Sequence, residues 1–171
     1  MDFEQVITDR YSVRSYSERP VEQAKIDRIL AAARLAPTAV NYQPQKIYVL
    51  QSEEAMAKVR TLTNATYGAP LAFIIAYDER ETWKLGVDHY DAGVTDATIV
   101  GTHMMLEAWN IGLGSCWARM FGESKMRKLF DLPDYIHPVA LLAVGYPSAD
   151  SVPYAPWHNV FKDVEEFTEV L

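Results

Sequence analysis

The sequence predicts a layered α/β or α+β domain, from two observations. Apolar residues recur with helical spacing in some stretches and in short β-branched runs in others, and the two kinds alternate along the chain. At 171 residues, 49% of them hydrophobic, the chain is long enough for one sizeable core. No internal repeat, low-complexity tract or linker-like shift in composition interrupts it, so residues 1–171 read as a single domain.

Taken in order, residues 2–9 form a short helix. The segment VEQAKIDRILAAARLA places Ile26, Ile29, Leu30 and Ala33 on one face, a helix that begins just after Pro20 and is closed by Pro37. KIYVLQ (46–51) and PLAFIIAY (70–77) read as strands, with a helix in EEAMAKVRTLT between them. The run from Asp91 to Asn110 is apolar nearly all round, so that helix needs cover on several sides, and a second subunit is one candidate. Gly112 is a natural stop for it. A short helix and a third strand, VALLAVGY (139–146), apolar enough to be buried on both faces, complete the pattern.

Charge excludes some functions. The net charge of −7 disfavours nucleic acid and anionic lipid. Residues 10–34 nevertheless carry six basic side chains against three acidic ones, a positive patch on a negative body. The lone Cys116 and the lack of a leader-like start point to a reducing, cytoplasmic setting. The apolar run 91–114 is broken by Asp91, Asp96, His103 and Glu107, too often for a membrane span.

Three segments hold candidate chemistry. In RYSVRSYSERP (10–20), Arg10, Ser12 and Arg14 alternate with Tyr11 and Val13, which in an extended segment sends two forked donors and a hydroxyl to one side. That set suits a phosphate; a solvated loop paired to acidic residues elsewhere is the other reading of the spacing. In PTAVNYQPQ (37–45), two prolines bracket Thr38, Asn41 and Gln43, a stiff display of a hydroxyl and two amides suited to a heteroaromatic edge, or a turn satisfying its own backbone. In GLGSCWARMF (112–121), Gly114 permits close backbone approach to a flat ligand, and Cys116 reads as inert packing.

Other chemistries find no support. His89, His103, His137 and His158 lack metal-ligand spacing. No GxGxxG, GxxxxGK[ST] or GxSxG occurs.

In order and spacing, RYSVRSYSERPV, APTAVNYQPQKIYVL, YDAGVTDATIVGTHMMLEAWNIGLGSCWARMF and LLAVGYP resemble the nitroreductase family of FMN-dependent oxidoreductases, over nearly the whole chain. The resemblance implies an α+β nitroreductase-like fold, a central mixed β-sheet flanked by helices, in an intertwined homodimer with FMN at the interface. It implies that Arg10, Tyr11, Ser12 and Arg14 hold the phosphate and ribityl end, that Pro37, Thr38, Ala39 and Asn41 come from the partner, and that Gln43 supports their loop. Trp117, Ala118, Arg119 and Met120 correspond to the strand covering one face of the isoalloxazine.

The chemistry implied is FMN's own, with no catalytic side chain. NADH or NADPH delivers a hydride to N5, and a nitroaromatic, quinone or similar small-molecule acceptor collects two electrons. A flavin carrier or sensor without turnover is the alternative on this fold, motivated by the short chain and by Trp117 and Trp157. A third reading, a special chemistry such as dehalogenation, needs a lid insertion that the sequence does not reveal. Two positions depart from the family pattern. His158, with Lys162 beyond it, stands where relatives carry a basic residue after GYP. Arg119 stands where they carry a small or acidic one. The tail from Pro147 to Leu171 is expected to reach across the dimer.

Overall fold

The computed structural model describes residues 1–171. Four strands form the central sheet: β1 (Gln45–Leu50), β2 (Leu71–Asp78), β5 (Gly114–Ala118) and β6 (Ile136–Gly145), in the order β1-β2-β6-β5. All three ladders are antiparallel; the parallel element is a single bridge between Ser12 and Ser115 at the β5 edge.

Because successive side chains of a strand face opposite ways, the continuous apolar run of β2 supplies two cores at once. Leu71, Phe73 and Ile75 face α2 (Gln23–Leu35) and α4 (Gly93–Asn110), meeting Ile26, Ile29, Val100 and Met104. Ala72 and Ile74 face the other way, toward Met56 and Val59 of α3 (Glu53–Leu62) and Met126 of α5 (Glu123–Leu129). The result is three layers, helices over both faces of the sheet. Each large side chain buried in full contributes about 1.5–3 kcal/mol, and Phe73, Ile74 and Ile75 have no exposed surface.

Local signals set the helix ends. In α1 (Phe3–Asp9) the Asp2 carboxylate accepts from Gln5 N–H at 2.9 Å while Asp2 N–H donates to the Gln5 side chain at 3.3 Å, a reciprocal cap. The Ser52 hydroxyl accepts from Ala55 N–H and opens α3. Gly112, at φ 78°, lets the chain reverse after α4, with Gly112 N–H on the Trp109 carbonyl and Leu113 N–H on the Ala108 carbonyl.

Three features differ from the sequence reading. The long helix begins at Gly93, because residues 84–91 form a small hairpin whose strands are β3 (Lys84–Leu85) and β4 (Tyr90–Asp91). That hairpin was not foreseen from the sequence. β5 was not legible from residue pattern, since Gly-Ser-Cys-Trp-Ala is short and small; pairing with Leu141–Gly145 makes it a strand. Beyond β5, β6 has only β2 for a neighbour, and there Pro138 is tolerated beside the register shift at Ile75/Ala76.

Candidate functional site

The arginine segment is held against the open edge of β5. Val13 N–H donates to the Ser115 carbonyl at 2.9 Å, and Val13 is fully buried. A Cβ on Gly114 would collide with the Val13 side chain, so the close approach that this glycine permits is to residues 12–13 rather than to a flat ligand. Farther on, Ser17 N–H reaches the Tyr146 carbonyl and Ser148 N–H reaches the Ser15 carbonyl. The segment is thus fixed from both sides, and its alternation turns Val13 inward while Ser12 and its two arginine neighbours face out.

Arg10, Tyr11, Ser12 and Arg14 line a cleft of about 280 Å³ whose far wall is Tyr154, Trp157, His158 and Phe161. His158 comes from α6 (Ala155–His158), brought over by Tyr11, whose hydroxyl donates to the Ser151 carbonyl at 3.1 Å and whose ring meets the imidazole edge-on at 6.0 Å. Neither arginine is paired to a carboxylate. Arg14 donates only to the Ser12 carbonyl, at 3.2 Å, and stands 6.0 Å from the centre of the Tyr67 ring. A solvated loop neutralised by acidic neighbours is therefore not what the chain builds here.

The loop Pro37–Gln43 lies elsewhere, at the start of α4, and none of its residues lines the cleft. Ala39 N–H donates to Asp96 Oδ1 at 2.9 Å, and Gln43 N–H donates to Thr38 Oγ1 at 3.0 Å. Pro37, Asn41 and Gln43 are exposed; Thr38 and Ala39 are partly covered.

After Gly114 the strand continues to Ala118, packed into the lower core, while the Trp117 ring lies over Gly101 of α4. Arg119 folds back on its own turn, donating to the Phe121 carbonyl at 3.1 Å with its guanidinium 4.6 Å from the Phe121 ring centre. Met120 is 72% exposed. Burial pushes the Cys116 thiol up, as expected of a packed, unreactive cysteine.

The structure therefore joins Arg10, Tyr11, Ser12, Arg14 and His158, and leaves 37–43 and 117–120 as two separate surfaces of the same chain. Sequence reasoning missed Tyr154 and Phe161 as cleft walls, named Trp157 only as bulk that could close a pocket, and missed Asp96 as the anchor of the 37–43 loop. An aromatic-rich tail was the available signal for the first three; a lone acid inside an apolar helix was the signal for the fourth.

A dianion with a flat apolar body fits this donor set. Two guanidiniums without carboxylate partners, a hydroxyl and an imidazole line one cleft, together with aromatic rings. A flavin mononucleotide has that shape and charge.

Known proteins agree in fold and sequence. A nitroreductase family protein of known structure from Clostridium difficile 630 is 35% identical, with a TM-score of 0.91 over 99% of this chain and 98% of that one. A Methanothermobacter thermautotrophicus protein, provisionally named an NADH dehydrogenase/NAD(P)H nitroreductase, is 31% identical over 157 residues, 86% of this chain and 78% of the relative. The FMN reductase [NAD(P)H] of Bacillus subtilis is 27% identical over 83% of this chain, which spans 64% of that enzyme. The family's sequence pattern, described as the nitroreductase family, matches residues 7–67 and 58–146, which takes in the arginine segment, the 37–43 loop, α4 and β5. With the pattern covering most of the chain and the layered sheet superposing end to end, this chain belongs to the nitroreductase family.

Proposed function

We propose that this chain is an FMN-dependent NAD(P)H oxidoreductase that passes two electrons to nitroaromatic, quinone or similar acceptors by a ping-pong route, acting as a homodimer. The observation that carries the reading is the pair Arg10 and Arg14, without carboxylate partners and lining one cleft on a chain of net charge −7. Two cations held together without a counter-charge repel each other, and a phosphate dianion converts that cost into binding.

When bound, FMN supplies hydride transfer at its N5, first from the nicotinamide and then to the acceptor. The chain's own residues bind and orient. Arg10 and Arg14 would hold the phosphate, with the Ser12 hydroxyl beside them and the His158 ring on the opposite wall. Tyr154 and Trp157, packed edge to face at 4.7 Å, shield one side from water. By the family resemblance, the segment Trp117, Ala118, Arg119 and Met120 would run beside the ring system, with the Trp117 and Ala118 side chains themselves packed against the core.

The 37–43 loop serves the flavin of a second copy, because it is remote from the cleft of its own chain yet presents exposed amides at Asn41 and Gln43. Dimerisation is supported by apolar surface left uncovered: Phe3 is 70% exposed, Leu35 81% and Phe161 83%. No helix is long and apolar enough to cross a membrane, and a single buried thiol suits a reducing, cytoplasmic site of action.

The test is an absorbance spectrum after reconstitution with FMN and desalting, followed by NADH or NADPH without oxygen. Retained yellow that bleaches supports the proposal. Retained yellow that persists assigns a flavin carrier or sensor, and a colourless protein refutes flavin binding.

A further inference from the structure

The turn that follows Thr38 is strained. Val40, Asn41 and Gln43 adopt positive φ of 48°, 57° and 53°. Asparagine visits this left-handed region readily, but a β-branched valine does so only when its surroundings force it. The Val40 side chain is 65% exposed, so packing is not the force.

Hydrogen bonds are. The turn closes on itself through Asn41 N–H to the Thr38 carbonyl and Tyr42 N–H to the Ala39 carbonyl, at 3.0 and 3.1 Å. It is fixed to the body of the protein by Ala39 N–H on Asp96 Oδ1 at 2.9 Å.

Asp96 is an unusual anchor. It is 2% exposed, faces in from the first turn of α4, and its Oδ2 has no hydrogen-bond partner. A buried carboxylate with one orphaned oxygen is costly. Favourable interaction with the helix start does not require burial, and the first free amide of α4, Gly93 N–H, is already served by Asp91 Oδ1 at 2.8 Å. What Asp96 does that no other side chain does is hold the Ala39 amide.

We propose that Asp96 is the positioning residue of the 38–43 turn. By fixing Ala39 it keeps Val40 in its strained conformation and so presets the exposed Asn41 amide, which makes no side-chain hydrogen bond within the chain, for the flavin edge. The inference rests on the FMN reading above. Its physical basis is preorganisation: the loop's ordering cost is met during folding rather than during binding.

The experiment titrates the apo protein with FMN, followed by flavin fluorescence, with circular dichroism and thermal melting of each apo variant alongside. Asp96→Ala is expected to weaken FMN binding about tenfold or more, the scale of one lost hydrogen bond to a charged group, while the apo protein keeps its secondary structure. Asp96→Asn retains a side-chain oxygen acceptor and is expected to stay within about threefold of wild type. In a Val40→Gly background, where positive φ carries no penalty, the loss caused by Asp96→Ala is expected to shrink. If the alanine variant does not fold, Asp96→Ser carries the same expected loss, being polar but too short to reach Ala39.

Binding within twofold of wild type in Asp96→Ala, Asp96→Asn as weak as Asp96→Ala, or a loss from Asp96→Ala that is equal with and without Val40→Gly would overturn the inference. A wild-type protein that binds no FMN overturns the parent reading, and this one with it.

Discussion

The Tyr11 phenol donates to the Ser151 carbonyl at 3.1 Å, tying the arginine segment to a part of the chain 140 residues away. The same ring meets Trp109 edge-on at 5.3 Å and His158 at 6.0 Å. One side chain thus couples the core helix, the arginines and the far wall of the cleft. Tyr11→Phe keeps the ring and removes the tie, so it is expected to cost about 1 kcal/mol in denaturant unfolding and to weaken FMN binding several-fold as the far wall loosens.

Phosphate recognition is separable from recognition of the ring. Arg14→Ala is expected to weaken FMN binding by about 10- to 100-fold, the range for a charge-assisted hydrogen bond, and to leave riboflavin, which lacks the phosphate, bound as before. Parallel fluorescence titrations with the two ligands check this. Equal losses for both would place Arg14 on the ring system instead.

Gly101 lies where α4 crosses β5, and a Cβ there would strike the Trp117 ring and the Ile75 side chain. Gly101→Ala is expected to destabilise the protein by about 1–3 kcal/mol through overpacking, despite alanine's better helix propensity. A urea midpoint unchanged or raised would show that Trp117 swings aside without cost.

Acid sensitivity should trace in part to Asp78. Its carboxylate, buried at the end of β2, accepts from Arg80 Nη2 at 2.7 Å and Nε at 2.9 Å. The Arg80 side-chain hydrogen bonds hold its pKa down to about 2, below the roughly 3.9 of an unfolded aspartate. The unfolded chain therefore takes up the proton first. The stabilisation is complete above about pH 4 and is lost as pH falls toward 2. Asp78→Asn is expected to lower the urea midpoint near neutral pH and to narrow the gap between midpoints measured at about pH 5 and pH 3. A gap as wide as that of wild type would assign the acid sensitivity to other carboxylates.

Much of the layered fold was legible along the chain. The 3.6-residue spacing of Ile26, Ile29 and Ala33 and the continuous apolar run of β2 are local properties, and each agrees with its burial in the structure. β5 was not legible from residue pattern, only from the family resemblance, because its small residues form a strand only by pairing with β6, and no local preference encodes a partner on the far side of α5. The 84–91 hairpin escaped notice because its strands are two residues long.

For the site, the residue types at 10–14 and 37–43 announced polar recognition, and their order along the chain carried the resemblance to a family. The sequence by itself determined which residues bear charge, which are stiff, and which faces must be buried, since these follow from covalent structure and spacing. Tertiary structure alone decided that Arg10 and Arg14 stand unpaired, that His158 faces them, and that a buried Asp96 grips a loop 57 residues away. Each of those is a meeting of distant segments. Whether a charge finds a partner depends on what folding brings within hydrogen-bond reach, and that is settled by packing around the sheet.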